Sequence, residues 1–259
     1  MSAGCGCDRG HLATLEEVLS QLQREAQALP VMEAVHLPLK EVCGAVLAEP
    51  VVSAVQVPPA DNSAMDGYAL CAKDAIAGAE LAVSQRIPAG IAPQPLQAGS
   101  CARIFTGAEV PLGADAVVMQ EDVEVLPDGR IRIPAMKAGQ NVRRAGQDIA
   151  IGATLFEAGR RLQSADIGLL ASIGVASVAV RRRLRVAVLS SGDELVQPGI
   201  PLAAGQLYNS NQFTLISTLA SMGFEILDAG TLPDNLEATR RRLIELAGTA
   251  DVIISSGGV

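Results

Sequence analysis

Three short polar segments in the last third of the chain carry side chains that suit phosphate and a metal ion. They are residues 190–194, 231–234 and 255–258, and each follows an apolar run that we predict to be a strand. The carboxyl ends of parallel strands meet at one edge of a sheet, where ligands bind. Ordinary turn chemistry, in which Asp and Ser cap the next helix, is the alternative.

Each side chain of this edge has a chemical use. Hydroxyls and glycine amides suit phosphate oxygens, and we assign that role to Ser190, Ser191, Gly192, Ser255, Gly257 and Gly258. Carboxylates suit a hard cation such as Mg²⁺, which we assign to Asp193, Glu194 and Asp234. We find no Ser-His-Asp set and no zinc-ligand pattern.

A second group of polar segments lies in the first half of the chain. Residues 58–69 hold two carboxylates, an amide, a hydroxyl and a phenol without helical or strand periodicity, which favours a site loop over a simple turn. Thr106 follows a predicted strand. Arg143 and Arg144 suit bidentate anion binding, although a solvated turn is the favoured interpretation of this segment taken alone.

The elements that position these segments fall into three regions that differ in predicted secondary structure. Residues 12–29 are predicted as a helix with a capping box of Thr14 and Glu17, ended by Pro30. Residues 39–52 are predicted as a second helix with a short extended exit. Further predictions are β-strands at 79–83, 101–105, 116–120, 123–126 and 130–133, with a turn at 127–129, then a helix at 159–173 with Ser164 as N-cap.

The remaining chain alternates strands with helices. Strands are predicted at 186–189, 224–227 and 252–254, and helices at 212–222 (Asn211 as cap) and 235–247. This order implies parallel pairing and half of a doubly wound sheet. The chain stops directly after a strand and a Gly pair, so we expect an incomplete fragment.

Composition excludes several classes. The net charge of −8 argues against a general binder of nucleic acid or anionic membranes, and 2% aromatic residues argue against stacking on single strands. The longest uncharged apolar run, residues 167–180, is shorter than a membrane span and holds two glycines. Five cysteines and no export signal predict a reduced, cytoplasmic protein.

The motifs resemble the MoeA family, molybdopterin molybdenumtransferase, to which the gephyrin E domain also belongs. The matching pieces are PPADNSAMDGYAL (58–70), RIFTGAEVP (103–111), GADAVVMQED (113–122), GQNVRRAGQDI (139–149), SSGDELVQPG (190–199), YNSN (208–211) and SSGGV (255–259). Their order spans nearly the whole chain, and the DNSAMDGYA piece is highly specific. Ala60 and Ser191 stand where the family often has a bulkier residue and Thr.

The resemblance implies the last step of molybdenum cofactor synthesis: molybdate enters adenylylated molybdopterin, AMP leaves, and Mg²⁺ is the usual metal. It also implies a homodimer in which the β domain of one subunit faces the α/β domain of the other. The functional positions that it carries over are Asp61, Thr106, Asp148, Asp193, Glu194 and Asp234. The family's remaining loops and its C-terminal β-barrel lie beyond this chain.

We therefore predict an α/β and β multidomain protein. Residues 11–57 and 144–180 form a mixed helical and β domain, residues 58–143 a mostly β insert, and residues 181–259 a truncated, molybdopterin-binding-like parallel α/β domain. The N-terminal helix is a candidate to pack on the last of these. An alternative function is a molybdopterin adenylyltransferase-like enzyme, whose family lacks the insert. Another alternative is a non-catalytic scaffold that binds a partner peptide.

Overall fold

The computed structural model describes residues 13–257, which divide into two compact units. One unit combines residues 13–35 with residues 180–257, and the other is His36–Ala179. The helices of the described chain are α1 (Leu15–Ala28), α2 (Ser164–Ser172), α3 (Ser210–Ser221) and α4 (Leu236–Ala247). Within residues 13–257, no helix is both long and apolar enough to cross a bilayer.

The strands pair into several small sheets and one larger one. In chain order they are β1 (Ala34–Pro38), β2 (Val46–Leu47), β3 (Val51–Val52), β4 (Asn62–Ser63), β5 (Gly67–Leu70), β6 (Glu80–Ile87), β7 (Ser100–Ile104), β8 (Ala116–Met119), β9 (Glu124–Val125), β10 (Ile131–Arg132), β11 (Val142–Arg143), β12 (Thr154–Phe156), β13 (Ser177–Arg181), β14 (Arg185–Ser191), β15 (Leu195–Val196), β16 (Leu207–Tyr208), β17 (Glu225–Leu232) and β18 (Val252–Gly257). The sheet orders are β1-β13-β2, β8-β5-β7-β6-β10-β9, β11-β4, β12-β3, β17-β14-β18 and β15-β16.

The mostly β structure predicted for residues 58–143 is confirmed by a six-stranded sheet within the second unit. Its central strands are buried on both faces, because neighbouring residues such as Ala69 and Leu70 enter separate core clusters. β5 and β4 are additional strands that the predicted site loop, residues 58–69, contributes. Gly67 is required there, since a Cβ would lie 1.9 Å from the carbonyl oxygen of Val118 on β8.

The helix predicted within residues 39–52 is wrong, whereas the short extended exit that should follow it is confirmed by β3 (Val51–Val52). Leu39–Glu41 form a single 3-10 turn, and β2 and β3 follow. Gly44 has a φ of +78°, a left-handed conformation that ends a helix. Its N–H donates to the Leu162 carbonyl, and the Leu47 N–H donates to the Arg160 carbonyl, so the backbone pairs with a distant segment.

The predicted helical ends are partly confirmed. Thr14 caps α1 in a capping box with Glu17. The helix predicted at 159–173 begins only at Ser164, which is the first helical residue and not the cap; the Asp166 carboxylate accepts the Gln163 N–H at 2.9 Å. Residues 159–162 instead pair with the chain near β2, through the Gly159 N–H and the Leu47 carbonyl.

The predicted parallel α/β region is confirmed. β14 is central and pairs in parallel with β17 on one side and β18 on the other. Apolar residues of α3 and α4 pack on opposite faces of this sheet, in separate clusters around Leu219 and Leu246. α3 starts two residues earlier than predicted, because Asn209 and not Asn211 is its N-cap; Asn235 caps α4.

Candidate functional site

The three polar segments of the α/β unit meet at one edge because β14 joins their strands. In register, Ser191 of β14 lies beside Leu232 of β17 and beside Gly257 of β18. The Gly192 N–H donates to the Leu232 carbonyl at 3.1 Å, which ties the first two segments together directly. The strands extend further than predicted, so the polar residues begin inside the sheet rather than after it.

A cavity of about 330 Å³ opens at this edge. Its lining combines polar groups of β14 and β18 with the pair β15–β16 and the start of α3: Ser191, Glu194, Leu195, Leu207, Tyr208, Asn209, Ser210, Asn211, Ser256 and Gly257. That volume is at the lower end of the ~300–1,000 Å³ range of small-molecule pockets. The cavity is therefore large enough for a small ligand or for one moiety of a larger one.

The predicted phosphate-binding residues do not all face the cavity. Ser191 and Gly257 line it, whereas Ser190 is fully buried and its hydroxyl donates to Asn209 at 3.4 Å. Ser255 lines an adjoining cavity of about 320 Å³. Of the two serines of β18, Ser256 lines both cavities, whereas Ser255 lines only the second one. Gly192 is buried, and Gly258 lies outside the described residues.

The three predicted metal-binding acids lie near this edge but do not form one set. Asp193 accepts the Asp234 N–H at 3.2 Å, while Glu194 lines the cavity with its carboxylate folded over Gly192. Among residues 13–257, no group of three His, Cys, Asp or Glu side chains is arranged to hold an ion. The described residues alone do not make a complete Mg²⁺ site, and the metal role stays a prediction.

A buried polar network lies behind the cavity and fixes the start of α3. The Asn209 amide donates to Gln212 at 2.9 Å and to Thr231 at 3.0 Å, and Asn209 accepts the Gln212 N–H. Gln212 also contacts Asp228, whose carboxylate accepts the Gly230 N–H at a bulge of β17. The sequence alone assigns no role to Asn209 or Gln212, and the YNSN motif is the only signal near them.

In the second unit, Asp61 is held by two groups from a segment more than 80 residues away. Its carboxylate pairs with the Arg144 guanidinium at 2.5 Å and accepts the Ala145 N–H at 2.8 Å. The Ala145 N–H, then Arg144, hold the pKa of Asp61 below its ordinary value despite partial burial. Asp61 is thus part of a closed contact between two loops.

Asp148 has the same kind of partner. Its carboxylate pairs with the Arg143 guanidinium at 2.6 Å. The anions that Arg143 and Arg144 bind are therefore carboxylates of this chain, which neither interpretation of the arginine pair anticipated. Asn141 begins this segment with a φ of +55°, and its side-chain amide donates to the Val117 carbonyl at 2.9 Å.

Thr106 is bound to a carboxylate that the sequence alone leaves without a specific role. Asp66 accepts both the N–H and the hydroxyl of Thr106, at 2.8 and 2.7 Å. These bonds, the backbone one first, lower the pKa of Asp66, and Arg103 adds a smaller effect of its charge. Ser63 links the neighbouring loops: its carbonyl accepts the Gly107 N–H, and β4 pairs with β11.

The fold and the sites define a class. A parallel sheet with polar segments at its carboxyl edge, joined in one chain to a β unit rich in paired carboxylates, is typical of an α/β ligand-binding protein with an additional β domain. The family model described as "MoeA N-terminal region (domain I and II)" matches residues 13–174, and "Probable molybdopterin binding domain" matches residues 187–259. The chain belongs to the MoeA family.

Individual relatives agree with the family assignment. A protein named "Molybdopterin molybdenumtransferase" from Haemophilus influenzae is 40% identical over 254 residues, covering 96% of this chain and 61% of that protein. "Gephyrin" from Dictyostelium discoideum is 32% identical, with 83% of this chain and 34% of that protein covered. The chain thus spans about six tenths of the Haemophilus relative.

A solved structure agrees with the fold as well. The molybdopterin biosynthesis MoeA protein from Pyrococcus horikoshii superimposes with a TM-score of 0.82 at 33% identity, covering 93% of this chain and 63% of that one.

Proposed function

We propose that the protein carrying this chain is a molybdopterin molybdenumtransferase, which inserts molybdate into adenylylated molybdopterin with release of AMP. The observation that carries the proposal is the cavity at the carboxyl edge of β14 and β18, in a chain whose two family matches cover both units. The relatives that bear this name support it. The inserted β domain disfavours the adenylyltransferase alternative, whose family lacks it.

The cavity suits one part of such a substrate. Among its lining groups, the hydroxyls of Ser191 and Ser256 and the amide of Asn211 are hydrogen-bonding groups for a pterin edge or a phosphate oxygen. Asn211 donates to Ser256 at 3.1 Å, so both side chains are oriented before a ligand arrives. Fixed groups of this kind lower the ordering cost of binding.

Binding by the 259-residue chain tests the cavity. We expect Ser256→Ala to weaken binding of fluorescent molybdopterin by about 5-fold, the effect of one hydrogen bond. Ser255→Ala is the matched control, because Ser255 is next to Ser256 on β18 but lines only the second cavity, whereas Ser256 lines both. Equal losses in both variants would contradict the assignment of the ligand to this cavity.

Activity is tested in the complete protein, or in a chimera that joins this chain to the remainder of the Haemophilus relative. Adenylylated molybdopterin, molybdate and Mg²⁺ are supplied, and AMP is followed by chromatography. We expect AMP release that depends on molybdate. A scaffold that only binds partner peptides would release none.

We propose Mg²⁺ dependence as a property of the complete protein, with Asp193, Glu194 and Asp234 as candidate ligands. Mg²⁺ is usually held by one or two carboxylates plus substrate phosphates, which is compatible with this incomplete set of acids. Calorimetric titration with Mg²⁺, with and without substrate, tests this. Binding that is unaffected by Asp193→Asn would contradict the ligand assignment.

We also propose a cytoplasmic homodimer with a cleft shared between subunits, as the family resemblance implies. Mixing inactive Asp61→Ala and Asp193→Asn proteins then restores some activity, because hybrid dimers contain one intact cleft. Sedimentation of each variant confirms that it still dimerises. If activity does not recover after subunit exchange has been verified, the proposal of a shared cleft is contradicted. Cell fractionation tests the location.

A further inference from the structure

Two hydrogen bonds from Thr106 converge on one oxygen of Asp66. The Thr106 N–H lies 2.8 Å from Asp66 Oδ1, and the Thr106 hydroxyl lies 2.7 Å from the same atom. The two residues are 40 positions apart, so no local turn explains the contact. Because both donors belong to Thr106, the contact fixes the backbone and the side-chain rotamer of that residue together.

The contact determines what the Thr106 hydroxyl can do. A threonine hydroxyl has one proton and two acceptor lone pairs, and an ionised carboxylate only accepts. The proton of Thr106 is therefore committed to Asp66, and the exposed hydroxyl oxygen is left to accept. The nearby Arg103 donates to the Gly67 and Ile104 carbonyls and to Gln120, so it contributes charge without replacing Thr106.

We propose that Asp66 is a positioning residue that makes Thr106 a hydrogen-bond acceptor for an N–H or O–H group of the adenylylated pterin. It follows that Thr106 does not bind a phosphate or molybdate oxygen, since those groups also only accept. The negative charge behind the hydroxyl strengthens its acceptor oxygen and disfavours an anion there. The inference rests on the proposed function for the identity of the substrate, and on the proposed shared cleft for the presence of that substrate at Thr106.

The hydrogen bond itself is tested in the 259-residue chain, without substrate. Carbon-detected NMR titration of the Asp66 carboxyl should give a pKa below the ordinary aspartate value. Thr106→Val removes the hydroxyl donor and should raise that pKa, whereas Thr106→Ser keeps the donor and should leave it low. An Asp66 pKa that is the same in wild type and Thr106→Val overturns the proposal.

The positioning role is tested by kinetics in the complete protein. We expect Asp66→Ala to raise KM and lower kcat/KM by about 10-fold, a loss of orientation, and Asp66→Asn to recover part of it through its remaining acceptor oxygen. In a double-mutant cycle, Asp66→Ala should add little to Thr106→Val, because Asp66 acts through Thr106. If the fold-losses in kcat/KM of the two single variants multiply in the double variant, Asp66 and Thr106 act independently, and the proposal is overturned.

Asp115 supplies a matched control. Its carboxylate accepts the Ala72 N–H at 2.6 Å, a comparable long-range contact in the same unit that involves no hydroxyl. Asp115→Ala should lower stability and combine with Thr106→Val multiplicatively. If the complete protein releases no AMP at all, the proposed function fails, and the NMR titration still decides whether Asp66 holds the Thr106 hydroxyl.

Discussion

The two candidate sites contain similar carboxylates in opposite electrostatic settings. In the β unit, Asp61 and Asp148 are each paired with an arginine. In the α/β unit, none of Asp193, Glu194 and Asp234 has an arginine or lysine partner within residues 13–257. The protein neutralises the first group by itself and leaves the second group available to a cation or a ligand donor.

The difference shows that a motif of acids does not define their role. Exposed ion pairs add about 0–1 kcal/mol each, so the pairs of the β unit act mainly by fixing loop geometry. The acids at the sheet edge contribute little to packing. We therefore expect substitutions in the first region to lower both stability and turnover, and substitutions in the second region to lower turnover alone.

Two tyrosines and no tryptophan allow the units to be observed separately. Tyr68 lies on β5 and Tyr208 on β16, in different units. Tyr208→Phe leaves fluorescence from the β unit alone, and Tyr68→Phe leaves it from the α/β unit alone. The stability of each unit can therefore be measured in one of these backgrounds.

The largest effect is expected from Gly67→Ala. The added Cβ would overlap the Val118 carbonyl oxygen, which belongs to the backbone of β8 and cannot move away cheaply. We expect a loss of about 3 kcal/mol in urea unfolding of the Tyr68 signal. Gly168→Ala is the control, because that helical glycine has open space around it and alanine favours helices. A stable Gly67→Ala protein would contradict the close approach.

Asp193→Asn should reduce turnover of the complete protein by about 100-fold while leaving the Tyr208 unfolding curve unchanged. The reason is that Asp193 makes no contact that holds the core. Glu225→Gln is the control, since Glu225 begins β17 at the opposite end of the same sheet. Full activity in Asp193→Asn would contradict the role in turnover that we assign to the acids of the sheet edge.

Asp61→Ala should destabilise the β unit by about 1 kcal/mol, because the Ala145 N–H and the Arg144 guanidinium both lose their acceptor. Arg144→Ala removes the ion pair alone and should cost less. The urea midpoint of the Tyr68 signal measures both. Equal effects would mean that the N–H contact contributes nothing.

The stability of the β unit should depend weakly on pH because of these contacts. The folded-state pKa values of Asp61 and Asp66 are lowered, so their contribution is present above the unfolded value of ~3.9 and is lost as the pH falls below it. The stability of the β unit should decrease between pH 5 and pH 3 by roughly the contribution of these bonds. Asp61→Asn should flatten this decrease in the Tyr68 signal and leave the Tyr208 signal unchanged.

Periodic and capping patterns predicted much of the fold. The capping box of Thr14 and Glu17 formed as expected, and the parallel strands around β14 followed from the alternation of apolar runs and helical stripes. The helix at 39–52 failed because a helical pattern does not reveal that Gly44 takes a left-handed conformation. β4 and β5 were missed because a short strand around Gly67 has no alternating pattern.

The site was predictable only at the level of segments. The register of β14 brings the three polar segments together as expected, but which serine of each pair faces the cavity depends on where each strand ends. The pair of Asp61 with Arg144 spans 83 positions, and the contact of Asp66 with Thr106 spans 40. Contacts of that kind arise from tertiary structure and leave no local signal in the sequence.

The central place of β14 makes the sheet edge sensitive to changes in chain length. β14 sets the register of both strands that pair with it. A one-residue shift in that register would turn the side chains of the shifted residues to the opposite face of the sheet. Inserting a single residue within Arg185–Ser191 would displace all the polar segments of the sheet edge at once. An insertion in the exposed turn near Gly90 would change the conformation of that turn alone. In a genetic screen for function, single-residue insertions near Gly90 should therefore be tolerated, whereas insertions within Arg185–Ser191 should not.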